Sequence, residues 1–573
     1  MTPALDPVTR EVILNGFTAI VAEMEVLIGR AAMSPSFKDK KDYFMGLYDR
    51  DGRMVHALTS YSGAGLVRPV LERYDADSIA PGDVFFYNDP YSSHGAVQHL
   101  PDIVVLMPYH SGAGRLEGFA VAYGHLEDIG GLRYGSASMD ARDTFNEGVA
   151  YPPMRVGTDG AVDDWFLALL TRNSRAPHLV RGDWRALLAG CRLGVDRMRA
   201  LQDRWGADAV AATAAWTIAT SARRARAVLD EQIPDGRYEA EQFVDGTAAG
   251  RDRIRVHAVL TKSGADLVLD LTGSDDQVDV PLNYLASLPG ARLLLALQLL
   301  VFDADLGMNE GALSTLTELR VRPGSIVQPH FPAPLHSRSA VKNAVAGCLA
   351  TLLAKANGGR MTAPMPGYVV CHFAFDGGAG RSAFGETLGV GLGARPFGDG
   401  ADVIYGGAQR NYPVEQVEPE TPVRIERYEI RRDSGGPGLH RGGCGVRREL
   451  RVLADAVFSP RLGNTAIPSP GVGGGLPGGL GKVTVVRRDG TEQTYPGVHG
   501  DIPVRAGELV RLESSGGGGF GDPLDRPAAA VLRDVREGFV SVEQARAAYG
   551  VWIADGELDE TATLAGPRGA RSR

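Results

Sequence analysis

Apolar residues at Val8, Ile13, Phe17, Ile20, Met24, Leu27 and Ile28 recur at helical spacing behind Asp6-Pro7. The pattern predicts a long amphipathic helix with Asp6 as N-cap and Pro7 at the first helical position. From Tyr43 to Ala122 the period changes. The runs YFMGLYD, DVFFYN, DIVVLMPY and GFAVAY, punctuated by Gly, Pro and Asp, read as strands. Helical patterns rich in Ala, Leu and Arg return from Asp163 to Leu229, and Ile233-Pro-Asp-Gly marks a turn and a boundary. Beyond it RIRVHAVL and ADLVLDLTGS read as strands, ARLLLALQLLVF from Ala291 to Phe302 as a buried helix, Leu319 to Val321 as a strand and 340–356 as a helix. Ser541 and Gln544 form a capping box that opens SVEQARAAYG. The expected fold class is α+β, a large mixed chain with segregated sheets and helices, divided at 1–232, 233–365 and 366–573.

Composition sharpens this picture at two points. Glycine stands at 74 of 573 residues, about 13% against the usual ~7%, so many tight turns and close backbone approaches are expected, most of all beyond residue 366. The net charge of −9 gives no support to nucleic-acid binding. Four scattered cysteines without a CxxC pair point to reduced thiols in a cytoplasmic setting. The apolar run at 291–302 is about half a bilayer span, so no membrane anchor is expected.

GVGGGLPGGLGK suggests a phosphate loop but fails on spacing. Leu476 stands where glycine is needed, and Val483 follows Lys482 where Ser or Thr is needed. It reads instead as a glycine-rich surface turn between strands. There is also no GxSxG elbow and no GxGxxG with a distant acid. The chain therefore shows no recognisable nucleotide motif.

The chemistry concentrates between Asn88 and Gly131. His99 and Asp102 stand three apart, immediately before one strand-like run, and His125 follows the next. If those runs pair, two imidazoles and a carboxylate meet at one sheet end, the donor set that holds Mn²⁺, Fe²⁺ or Zn²⁺ with open positions. The same donors make the facial triad of non-haem iron oxygenases, but HxxD spacing counts against that chemistry.

NDPY and HLPD, then GH and DIGG, EGVAYPP (147–153), LDLTGSDDQV (269–278), RYEIRRDSGGPGLHRGGCGVRRE (427–449) and GGGGFGDPLDR (516–526) follow one another in order. Together they resemble the hydantoinase B/oxoprolinase family, which includes N-methylhydantoinase B and acetone carboxylase α subunits, over about residues 8–552. The resemblance implies a divalent transition metal on His99, Asp102 and His125, with a fourth, acidic ligand at Asp39 in SPSFKDKKDY, where the family usually has glutamate. It also implies a hydantoinase A-like partner that uses ATP, and a cyclic amide or ketone substrate. The implied function is the metal-bearing catalytic subunit of a two-component cyclic amidohydrolase. Its alternatives are a ketone carboxylase subunit and a non-catalytic scaffold for the ATPase.

Weaker candidates surround the motif. Asp89 and Asp128 are candidates for orienting a ligand histidine, as is Glu127, while His94, Asp143 and Glu147 are candidates for facing substrate. His336 in FPAPLHSRSA reads as a surface histidine, and Cys444, flanked by glycines, as a structural thiol.

Overall fold

The computed structural model describes residues 5–58, 63–247, 251–367, 369–375, 383–405, 410–495 and 497–568. The Asp6 carboxylate accepts hydrogen bonds from the N–H groups of Val8 and Thr9, both at 3.0 Å, and so caps the helix Pro7–Ala31. Ile13, Phe17, Ile20, Met24 and Ile28 form its buried stripe, joined by Val21, whereas Val8 in the first turn is exposed. By length and composition this helix could cross a membrane. Here its apolar face packs on the helix Pro177–Trp205 and on the first sheet.

That sheet is antiparallel and carries the site. Its strands are β1 (Tyr43–Asp49), β2 (Met54–Ala57), β3 (Val84–Tyr87), β4 (Asp102–His110), β5 (Leu116–His125), β6 (Met154–Thr158) and β7 (Ala161–Val162), in the order β2-β1-β5-β4-β3-β6-β7. One face packs against the two long helices. The other receives Leu293 and Ala296 of the helix Leu288–Leu299. Burial on both faces explains why β4 is apolar from Ile103 to Met107 instead of alternating.

A second sheet (Gly236–Thr247, Arg251–Ser263, Asp266–Asp270, Glu318–Arg320) is covered by the helix Ser339–Ala356. Two further sheets share a third core. One contains Val369–Phe375 between Ala383–Leu388 and Ala456–Leu462; the other contains Val446–Val452 and Leu509–Glu513. Sheets and helices are segregated along the chain, as an α+β class requires. Near the C-terminus the Ser541 hydroxyl accepts from the Gln544 N–H and caps the helix Val542–Tyr549. All four cysteines are buried and unpaired, Cys444 among them.

The glycine excess has a structural role that the expected surface turn misses. Segments 434–445, 471–479 and 516–521 lie backbone against backbone. Gly436 N–H donates to the Gly517 carbonyl at 2.8 Å, Gly517 N–H to Gly443 at 3.0 Å, and Gly519 N–H to Leu476 at 2.9 Å. A Cβ on Gly516, Gly517 or Gly519 would overlap the carbonyl oxygens of Ser434, Leu392 and Pro437 respectively. The layers approach too closely for any side chain.

Candidate functional site

Strand register builds the site. Asp102, the first residue of β4, pairs directly with His125, the last of β5, and Tyr43 of β1 pairs with Gly124. The His125 N–H donates to the Asp42 carbonyl at 3.1 Å, which continues that ladder by one residue. Directly paired residues project to the same face, so Asp42, His125 and Asp102 stand in a row across three strands. The HxxD turn brings His99 over this row. Its ring centroid is 5.0 Å from that of His125, and its Nε2 is 3.0 Å from Asp102 Oδ1.

One ligand atom from each of His99, Asp102 and His125 lies within 4.8 Å of the others. His99 Nε2 is buried and makes no hydrogen bond among the described residues. Nitrogen and oxygen donors about 2.0–2.2 Å from a common ion stand roughly 3 Å apart. His99 and Asp102 have that spacing and His125 lies within 4.8 Å, so the three side chains could hold a divalent ion. Burial, reinforced by Arg338, drives His99 well below its ordinary pKa, and burial also lowers His125. Both imidazoles are therefore neutral, the state that binds metal.

Neighbouring side chains fix this geometry. Asn88, buried in the NDP turn, donates to the carbonyls of Leu100 (2.7 Å) and Val149 (3.0 Å) and accepts from the Tyr151 N–H (2.6 Å). It therefore ties the HxxD turn to the 147–153 segment. Arg338 donates to Asp102 Oδ2 at 3.1 Å. His336 is buried, contrary to the surface position expected, and its Nδ1 lies 3.3 Å from His99 Nδ1. The cause is Glu147, whose Oε1 accepts from the N–H groups of Leu335 (2.8 Å) and His336 (2.7 Å) and draws that loop inward.

The other candidates divide plainly. Asp39 is not brought to the group: it ends the short helix Pro35–Lys38 and accepts from Gln416 Nε2 at 2.7 Å. The acid that faces the cavity from this segment is Asp42, ion-paired with Lys40 at 3.1 Å. Glu127 lines the cavity, accepts from Ser36 Oγ at 3.2 Å, and is pushed up to about 7 by burial. Asp128 is buried away from the cavity and holds Arg175. Asp89 makes a turn with the Tyr91 N–H, Asp143 caps the turn at Asn146, and His94 is an exposed loop residue.

The cavity of about 760 Å³ has the three clustered residues on its wall, with Arg338, Lys342, His372 and Arg461. Leu294, Leu297, Val301, Phe384 and Val417 supply an apolar portion. Asp42 was legible in principle from the strand register. His336, Arg338, Lys342, His372 and Arg461 come from elements more than 200 residues away, and no local pattern announces them.

Residues 6–523 match the family model of hydantoinase B/oxoprolinase. The chain belongs to the hydantoinase B/oxoprolinase family. It is 29% identical to the caprolactamase subunit beta of Pseudomonas jessenii over 98% of this chain and 99% of that one. The acetophenone carboxylase delta subunit of Aromatoleum aromaticum is 27% identical over 87% of this chain and 79% of its own. The crystal structure of ATP-dependent caprolactamase from Pseudomonas jessenii superposes with a TM-score of 0.88 at 28% identity, covering 99% of this chain and 100% of that chain.

Glu147 gives this family member a pH signature. Burial pushes its carboxyl up to about 7 from an ordinary 4.5. The stability it contributes is fully present below pH 4.5 and is lost as pH rises through 7. Glu147→Gln keeps an oxygen for both N–H groups and cannot ionise. Relative to the natural chain it should gain about 2–3 kcal/mol between pH 5 and pH 8 in urea denaturation. A difference independent of pH would contradict this reading.

Proposed function

We propose that this chain is the metal-bearing subunit of a two-component, ATP-dependent enzyme that opens cyclic amides. The observation that carries the reading is the convergence of His99, Asp102 and His125 on the wall of a cavity large enough for a small ring. The family, and a relative named as a caprolactamase subunit, supply the reaction class. The cytoplasm suits four unpaired thiols.

His99, Asp102 and His125 would hold Mn²⁺, Zn²⁺ or Fe²⁺, with the Asp42 carboxylate alongside. Such an ion supplies Lewis acidity and a nucleophile generated near neutral pH. His336 sets the orientation of His99 through Nδ1, and Arg338 that of Asp102, because a ligand's hydrogen-bond partner fixes its aim and tautomer. The apolar wall at Leu294, Leu297 and Phe384 receives the methylenes of a ring and excludes bulk water. An amide carbonyl is a poor electrophile until its oxygen carries a good leaving group. That activation belongs to a hydantoinase A-type partner using ATP, since this sequence carries no phosphate loop. The acetophenone carboxylase relative favours a second reading, in which the same side chains orient an enolate toward CO₂.

The isolated chain is expected to show neither ATPase nor amidase activity. Combined with its hydantoinase A-type partner and a divalent metal, it should hydrolyse ATP and open a lactam or hydantoin. Ring opening by the isolated chain without ATP would overturn the reading. Bicarbonate-dependent carboxylation of a ketone, with no lactam opened, would favour the second.

A further inference from the structure

Arg338, Lys342 and Arg461 reach the cavity from two sides. Arg338 stands at the N-terminal end of the helix Ser339–Ala356, and Lys342 follows one turn later on the same face. Arg461 belongs to the strand Ala456–Leu462 and pairs with Val370, which also lines the cavity.

Arg338 is paired with Asp102, whereas the other two cations have no ion-pair partner among the described residues. Among the described residues Lys342 makes no hydrogen bond or ion pair, and Arg461 Nε is buried without an acceptor. Among the described residues the two carboxylates that act electrostatically on Arg461, Glu147 and Asp501, make no hydrogen bond to it, although Glu147 Oε2 is itself buried without a partner. Glu147 holds the backbone at Leu335 and His336, and Asp501 holds Arg133 at 3.0 Å and Ser459 at 2.6 Å. Four of the described carboxylates line the cavity. Asp42 is paired with Lys40, and Asp102 serves both Arg338 and the three-residue cluster. Glu127 accepts from Ser36 and is pushed up to about 7 by burial, and Glu420 is exposed. Burial lowers both Lys342 and Arg461, and Arg338 lowers both further, so the three charges act on one region. The Ser339–Ala356 helix also begins without a side-chain cap, which leaves its positive end unneutralised beside them. Half-buried cations without a partner of their own, as Lys342 and Arg461 are, carry a cost that is recovered when an anion binds between them.

We propose that Arg338, Lys342 and Arg461 form a phosphoryl subsite beside the His99, Asp102 and His125 cluster. It receives the phosphate of a substrate activated on oxygen by ATP, and in that respect it rests on the function proposed above. The subsite turns the activated carbon toward the cluster and the carbon skeleton toward the apolar wall. It also selects the phosphorylated form over the free amide, which carries no charge.

The test is calorimetric titration of the purified full-length chain with inorganic phosphate, and separately with acetate. Phosphate should bind measurably, and acetate at least about tenfold more weakly, since a tetrahedral dianion engages all three cations. Lys342→Met and Arg461→Met should each weaken phosphate about tenfold or more, the range for a lost hydrogen bond to a charged group, while Arg461→Lys stays closer to the natural chain. Lys342→Met lies on a cavity-facing helix position and carries the test if Arg461→Met does not fold. No detectable phosphate binding, acetate binding as tightly as phosphate, or unchanged affinity in Lys342→Met would overturn the subsite. If phosphate behaves as expected and the assembled enzyme opens no cyclic amide, the proposed reaction falls and the subsite stands.

Discussion

His125→Ala in the assembled two-component enzyme is expected to reduce product formation by about 10³-fold or more, the rate equivalent of losing several kcal/mol of charge stabilisation. Assembly should be unaffected. The pairing of His125 with Asp102 and with Asp42 uses the main chain, which alanine retains. The half-buried ring stands at the end of β5, facing the cavity. ATP consumption should survive in part, because the proposed function assigns phosphorylation to the other subunit. Product formation at the natural rate would show that the cluster is not the reacting centre.

The second large effect lies far from the chemistry. Gly517→Ala should destabilise the chain by more than about 4 kcal/mol or prevent folding altogether, in the range reserved for defects that no local adjustment relieves. An added methyl would overlap the Leu392 carbonyl oxygen, and Leu392 N–H is itself bonded to Ala401 at 2.9 Å. The neighbouring layers are locked in turn, since the Gly443 N–H donates to the Leu392 carbonyl at 2.8 Å and the Gly443 carbonyl accepts from the Gly517 N–H at 3.0 Å. Gly112→Ala provides the control. Its Cβ would meet nothing within 4 Å, so its stability should match that of the natural chain. Chemical denaturation of the three proteins measures this directly. A Gly517→Ala protein within about 1 kcal/mol of the natural one would mean that the glycine layers yield readily.

The elements that build the site were legible because their signals are local. Asp6-Pro7 announces its helix, YFMGLYD coincides with β1, and HLPD followed by a strand-like run places His99 and Asp102 correctly relative to His125. Asp39 was the expectation most exposed to error. Its position came from the resemblance, whereas strand register carries Asp42 into the row and leaves Asp39 beside Gln416. His336 was unreadable for another reason. A loop histidine amid Pro, Ser and Arg looks solvated, and only the distant Glu147 draws it inside. The glycine run at 471–482 does turn at the surface between two strands, at Gly473 and Gly474, but the close packing of the glycine segments was not readable, because close backbone packing is a property of pairs of segments. One segment alone does not display it.

The central claim is a metal held by His99, Asp102 and His125, and elemental analysis of the purified chain tests it most directly. The natural protein should carry about one divalent transition ion per chain, at the coordination expected of a three-residue site with open positions. His99→Ala and His125→Ala should lose it with the fold retained by circular dichroism, and Asp39→Ala should keep it. Full occupancy in both histidine variants, or loss in Asp39→Ala alone, would contradict the account.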